Sequence, residues 1–333
     1  MRAMSTATTT TAFTYADIEL AARRIAGFVH RTPVHQSKSI DALVGKWVHF
    51  KCENMQKTGS FKARGALNAV SRLVENDGGA ARRRGVITHS SGNHGAALAY
   101  AAELLNVPCT VVAPKDAPAP KLDAIRAYGA QLVMCEPTLA SRQVTCDSIV
   151  SETGATLLHP HDNYDVMAGQ GTMAIEFLEQ CPDLDAILVP TGGGGMASGI
   201  ATAVAELKPS CKVYCVEPLG KHISASFDAG QRLWPEPPPT LNTVADGMRV
   251  GNLGARCFSA LLHTVDRHVF SVSDEQIIRA LRLILQRLKL VVEPSSGTGL
   301  AAALQPDFSD IVRAQHIGII LCGGNLDLDN LPW

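Results

Sequence analysis

The chain lacks an excess of charge of either sign. Its formal net charge is −1 over 333 residues, which leaves no basic surplus for nucleic acid or an anionic membrane to meet. No CxxC pair occurs and the nine cysteines are an odd number, so neither a disulfide framework nor a zinc site is indicated. No uninterrupted apolar stretch is long enough to span a bilayer. Charged residues make up only 18% of the chain and apolar ones 46%, the balance of a compact, largely buried α/β protein. The length predicts one large or two modest domains. Most cysteines sit inside apolar runs, as in Val133-Met134-Cys135 and Tyr214-Cys215-Val216. That is the placing of small buried thiols in a reducing, cytoplasmic setting. The first dozen residues are rich in Ser, Thr and Ala and are expected to be disordered; a cleaved targeting segment is poorly supported, since no apolar run follows and Arg is sparse.

Along the body, short β-rich runs alternate with helical ones. Thr14 and Asp17 stand at capping-box spacing before an amphipathic run to about Val29. Strands are predicted at Trp47 to Cys52, Val86 to Thr88, Cys109 to Ala113, Gln131 to Cys135, Thr156 to Leu158, Ala186 to Val189, Lys212 to Val216 and Ile317 to Leu321. Helices are predicted at His94 to Leu105, Lys121 to Tyr128, Ser141 to Glu152, Thr172 to Gln180 and Met196 to Leu207, with another capped by Ser273 and Gln276. This alternation predicts parallel sheets with helices on both faces. Trp234 to Pro239 reads as a Pro-rich surface loop. There are no internal repeats, and no linker marks a domain boundary.

Four segments carry chemistry. In Lys57-Thr58-Gly59-Ser60-Phe61-Lys62-Ala63-Arg64-Gly65 a lysine follows a Gly-Ser turn and opens an apolar helical run. A buried lysine with a lowered pKa attacks aldehydes as the neutral amine; an ordinary solvated lysine is the bland alternative. Ser90-Ser91-Gly92-Asn93-His94-Gly95 lies between a strand and a helix, where backbone amides can meet an anion, or simply form an N-cap turn. Thr191-Gly192-Gly193-Gly194-Gly195-Met196 follows an apolar strand. Four glycines there let several N–H groups converge on a phosphate. The loop is not a Walker A motif, for want of the Lys-Ser/Thr pair, and does not fit a dinucleotide fingerprint. Leu321-Cys322-Gly323-Gly324-Asn325 ends the last strand, where ligands of parallel sheets bind, although a buried thiol before a glycine turn is equally plain. Jointly, the four are what a phosphorylated aldehyde cofactor needs.

In this order the segments resemble those of fold-type-II pyridoxal-phosphate enzymes, within the branch of serine racemases and threonine/serine dehydratases. The likeness runs from about Tyr15 to about Asp329. It includes Glu53-Asn54-Met55-Gln56, Ala168-Gly169-Gln170-Gly171-Thr172, Val244-Ala245-Asp246-Gly247 and Val292-Glu293-Pro294. The end at Trp333 resembles forms without a C-terminal regulatory domain. The resemblance implies a tryptophan-synthase-β-like pair of parallel-sheet α/β domains: a large cofactor-binding one from residues 1–80 and 160–333, and a small mobile one from 81–159. It also implies a homodimer acting on a small amino acid.

By the same resemblance Lys62 holds pyridoxal 5'-phosphate as a Schiff base and takes the substrate α-proton from one face. Phe61 and Asn93 match residues against the ring and its phenolic oxygen. Gly192, Gly193, Gly194, Gly195 and Met196 match the phosphate loop, and Gly247 lies near the ring edge. Ser91 matches the acid/base of the opposite face; Ser90, His94 and Arg142 match positions near the substrate carboxylates. The expected activity is serine racemisation with accompanying β-elimination to an α-keto acid and ammonia. The alternatives are a threonine/serine or threo-3-hydroxyaspartate dehydratase with little racemisation and, more remotely, a non-catalytic cofactor-binding α/β protein.

Three departures stand out. The residue facing the pyridine nitrogen, commonly Ser, is Cys322. The divalent-cation site (Mg²⁺ or similar) of the racemases uses a Glu, matched by Glu217, and an Asp whose position is Ile223; Lys221 lies between and is expected to neutralise Glu217. A substrate-side Ser is replaced by Val250, preceded by Arg249; with Arg142, the added cation suits an acidic substrate.

Overall fold

A computed structural model describes residues 13–117 and 119–333; the first dozen residues, expected to be disordered, lie outside them. Ten strands occur in chain order: β1 Val34–His35, β2 Trp47–Cys52, β3 Val86–Thr88, β4 Cys109–Pro114, β5 Gln131–Cys135, β6 Thr156–Leu157, β7 Ala186–Pro190, β8 Lys212–Pro218, β9 Phe270–Val272 and β10 His316–Leu321. They form two sheets. The larger runs β1-β2-β10-β7-β8-β9 and the smaller β5-β4-β3-β6. All pairs are parallel except β1 with β2, an antiparallel edge. Such an edge on an otherwise parallel sheet is common.

The pleat explains why β7 and β10 read as unbroken apolar runs. Leu188 and Ile319 join one core cluster, while Ile187, Val189 and Ile320 join another on the opposite face. Alternate side chains point to opposite faces, and both faces are covered. The small sheet divides likewise, Val86 and Val111 on one side and Ile87 and Val112 on the other.

Caps decide where helices begin and end. The first helix, Tyr15–Ile25, stops short of the expected Val29, because Gly27 takes a left-handed φ of 80°. The helix expected from Thr172 begins at Tyr164 instead; the Asn163 side chain accepts from the N–H of Asp165 (2.8 Å) and Val166 (3.1 Å). Ser273 and Gln276 close their capping box at 2.8 and 3.3 Å. A further helix, Pro294–Ala303, was not signalled by any periodicity. All ten of its residues are buried, so no polar face marks it. It lies so close to β10 that a methyl on Gly299 would come within 2.7 Å of the Ile319 side chain.

The helix Lys62–Asn76 is clamped by a buried ion network. Arg64 is fully buried and donates to Glu53 (2.8 Å) and Glu176 (2.7 Å). One turn earlier, Ser60 bridges to Gly323, Phe61 N–H bonds Cys322 O at 3.1 Å, and Gly324 N–H bonds Gly59 O at 2.9 Å. The start of that helix is thereby fixed beside the end of β10. The ends of β3, β7 and β10 and the turns that follow them face one region between the two sheets.

Candidate active site

Lys62 opens its helix, half-buried, with Nζ 2.6 Å from the carbonyl of Pro160 and 5.1 Å from the centroid of the Phe61 ring. Burial pulls its pKa down to about 8, against weaker upward pulls from Cys257, Cys322 and Glu293. At neutral pH an appreciable share of the side chain is therefore the nucleophilic amine.

The glycine loop has its carbonyls occupied and its amides free. Thr191 O and Gly192 O accept from Lys221 Nζ at 2.8 and 2.9 Å, Gly193 O accepts from Gly254 N–H at 3.0 Å, and Gly194 O accepts from Ser198 N–H at 2.8 Å. None of the N–H groups of Gly192 to Gly195 has a partner among the described residues. The helix Gly195–Leu207 begins there, which adds its positive end. Glycine is required: Gly194 has φ 97°, and a methyl on Gly193 would meet the His161 ring at 2.2 Å. Free amides converging at a helix start are what an anion cradle requires.

Opposite lies a floor of polar groups at the ends of distant segments. Asn93 Nδ2 donates to both oxygens of Glu293, at 3.2 and 2.9 Å, and Asn93 Oδ1 accepts from Asn325 at 2.8 Å. Cys322 Sγ lies 3.4 Å from Ser296 Oγ and 3.7 Å from Glu293 Oε1. Burial pushes Glu293 up to about 7, and the Asn93 amide opposes that rise. Burial also pushes the Cys322 thiol well above its ordinary value, so it stays neutral. A methyl on Gly247 would come within 3.5 Å of Glu293 Oε1, which puts Gly247 at the edge of the same floor.

Ser90 and Ser91 occupy the half-buried turn between β3 and the helix Asn93–Leu104. His94 is buried, with Nε2 3.1 Å from Leu158 O and Nδ1 without a partner among the described residues. Burial and the nearby Lys62 depress its pKa to about 3, so it is a neutral imidazole. Arg142, half-buried in the helix Leu139–Thr153, has a buried Nε with no partner among the described residues. Met196 buries its side chain at the foot of the cradle.

Sequence reading assigned no role to Glu293 or His161. A signal existed for the first: Glu293 is an acid at the end of the apolar run Leu290-Val291-Val292, directly before a helix-opening proline. His161 gave none.

The divalent-cation site does not fit these residues. Among the described residues no cluster of three or more His, Cys, Asp or Glu side chains could hold a metal. Glu217 is buried and already accepts from Ile223 N–H (2.9 Å) and Ser271 Oγ (2.8 Å). Ile223 is fully buried and apolar. Lys221 does not pair directly with Glu217 as expected; its Nζ goes to the two loop carbonyls instead.

Pyridoxal phosphate does fit. The unpaired amides of the cradle suit a phosphate, the lowered Lys62 suits an aldehyde, and the neutral Cys322 and the Asn93 amide suit the polar edges of a pyridine ring. Fold and site thus define an α/β enzyme with an amine nucleophile beside an anion cradle. Residues 25–323 match the model of the family described as pyridoxal-phosphate dependent enzyme, and the chain belongs to that family. It is 44% identical to a serine racemase of Rattus norvegicus over 96% of this chain and 95% of the relative. It is 43% identical to an L-threo-3-hydroxyaspartate ammonia-lyase of a Pseudomonas species over 95% and 96%. Among solved structures, a pyridoxal 5'-phosphate-dependent aspartate racemase superposes with TM-score 0.93 at 45% identity, over 96% of this chain and 98% of that one.

Proposed function

We propose that this enzyme racemises serine and also eliminates its β-hydroxyl, giving an α-keto acid and ammonia. One observation carries the reading: a lysine with its pKa lowered to about 8 stands beside a loop of unpaired amides. When bound, pyridoxal phosphate supplies the electron sink that acidifies the α-proton of an attached amino acid. The chain does the rest. The amides of Gly192 to Gly195 and Met196 would hold the phosphate, and Phe61 and Gly247 would lie against the ring. Asn93, whose amide here donates to Glu293, would turn to the phenolic oxygen, and Cys322 would offer the pyridine nitrogen a neutral thiol. Lys62 Nζ takes the α-proton on one face. Ser91 Oγ returns a proton on the other, an assignment supported by its place in the Ser-Ser-Gly-Asn-His-Gly turn; Ser90 and His94 Nδ1 line the same turn.

The unpartnered Nε of Arg142 favours a second reading, in which the substrate carries a side-chain carboxylate, as the name of the Pseudomonas relative does. Incubation with L-serine, L-threonine and threo-3-hydroxyaspartate separates the two: chiral chromatography reads inversion and a keto-acid assay reads elimination. Turnover of L-serine with inversion supports the first; elimination confined to the hydroxyaspartate overturns it. A borohydride adduct mapped to any lysine other than Lys62 removes both. Ser91→Ala is expected to cut racemisation by roughly 10²-fold or more while elimination changes far less; equal losses would reassign Ser91.

The domain division belongs to the same proposal. The small sheet lies within residues 86–157, which supports a mobile unit of 81–159 against the remainder. A homodimer follows from the family likeness, and sedimentation checks it. Eight of nine free cysteines are buried, in keeping with a reducing, cytoplasmic setting, and no helix among the described residues is long and apolar enough to cross a membrane.

A further inference from the structure

The carbonyls of Thr191 and Gly192 present a problem that the chain has solved with a side chain. Both must point away from the cradle for the next amides to point into it. Buried carbonyls need partners. They find one in Lys221, which is fully buried and carries no solvent-facing role. Its Nζ reaches both oxygens, at 2.8 and 2.9 Å, and two N–H donors serve them in either protonation state. The lysine is itself held: its own carbonyl accepts from Trp234 Nε1 at 2.6 Å. Beside it Glu217 anchors the Ile223 amide at 2.9 Å. The Pro-rich loop thus holds the backbone of the residue whose amine holds the glycine loop.

We propose that Lys221 is a positioning residue for the cofactor phosphate, a cation built into the chain that does from behind the glycine loop what a bound divalent ion would otherwise do. The proposal rests on the reading of residues 192–196 as the phosphate cradle. Lys221 touches neither phosphate nor substrate; it orients the peptide units whose amides do. Its Nζ takes the two carbonyls, Glu217 already accepts from Ile223 N–H and Ser271 Oγ, and the Ile223 side chain supplies no oxygen. Binding of Mg²⁺, Mn²⁺ or Ca²⁺ is therefore not needed and finds no set of ligating side chains among the described residues.

The test compares affinities for pyridoxal phosphate and for pyridoxal, which lacks the phosphate, by spectral titration of cofactor-stripped full-length protein. Wild type is expected to prefer the phosphorylated form, and the preference to survive exhaustive chelation and to gain nothing from added Mg²⁺, Mn²⁺ or Ca²⁺. Lys221→Met is expected to lower the preference roughly tenfold, since two buried carbonyls lose their donors, while pyridoxal itself binds as before. A merely structural defect would weaken both ligands alike. Lys221→Gln, which keeps N–H donors on a shorter stem, is the second variant should the first not fold, with a smaller loss expected. An unchanged preference in either folded variant overturns the proposal. So does a wild-type preference that chelation abolishes and Mg²⁺ restores. Equal affinity of the wild type for the two ligands would instead remove the cradle, and this inference with it.

Discussion

Lys62 and Glu293 are ionisable groups moved toward neutrality by the same cause, burial, and each makes its own pH prediction. In the proposed function Lys62 reacts as the free amine, and burial holds its pKa at about 8. The rate at which stripped enzyme captures pyridoxal phosphate should therefore climb as pH rises through about 8 and level off above it; a rate still climbing steeply near the ordinary lysine value would contradict the burial argument. Glu293 has its folded pKa raised from 4.5 to about 7. The folded state thus holds the extra proton between those values, and stability falls as pH rises through about 7. In the cofactor-free chain Glu293→Gln is expected to raise Tm at about pH 9, relieving up to ~3 kcal/mol, and to leave it nearly unchanged at about pH 4. Thermal melts at the two pH values check this, and an equal shift at both would sink it.

At the scale of elements, the site depends on how the helix Lys62–Asn76 is seated. Arg64 neutralises Glu53 and Glu176 in the interior. Arg64→Met leaves the Glu53 carboxylate buried without a counter-charge, with only the Thr32 hydroxyl donating to it (2.6 Å). A loss of ~3–5 kcal/mol is expected, read by urea or thermal unfolding; a loss below ~1 kcal/mol would mean the network is solvated. Elements marked by a cap or by a short apolar run between turn residues were readable in advance: the Ser273 box and strands β7 and β10 stand where the pattern puts them. Two were not. The Asn163 cap moved one helix start eight residues upstream, from Thr172 to Tyr164. The helix Pro294–Ala303 is buried on every side, which erases the 3.6-residue period that reveals helices.

At the scale of the whole molecule, an ion pair between Lys121, on the helix Ala119–Ala127 that follows β4, and Asp246, in the turn Asp246–Met248, joins the segment that carries the small sheet to the rest of the chain. Both side chains are about one-third exposed, 32% and 35%. Lys121→Ala should therefore cost under about 1 kcal/mol of stability. If residues 81–159 close over the substrate, it should nonetheless raise KM severalfold with kcat less affected. Steady-state kinetics beside a thermal melt separate the two effects, and an unchanged KM would place the pair outside the closing motion.

Chemistry that resides in contiguous residues was legible from the chain alone: a lysine after a Gly-Ser turn, four glycines between strand and helix, and a thiol where the last strand ends. Their order sufficed to identify the family and the cofactor. What the folded chain decided was which residues 200 positions apart touch, as Asn93 and Glu293 do, and that Lys221 serves the carbonyls of Thr191 and Gly192 rather than Glu217. Local propensity and periodicity encode elements, whereas the partner of a buried polar group is set by which elements pack beside it, and only the packed core supplies that.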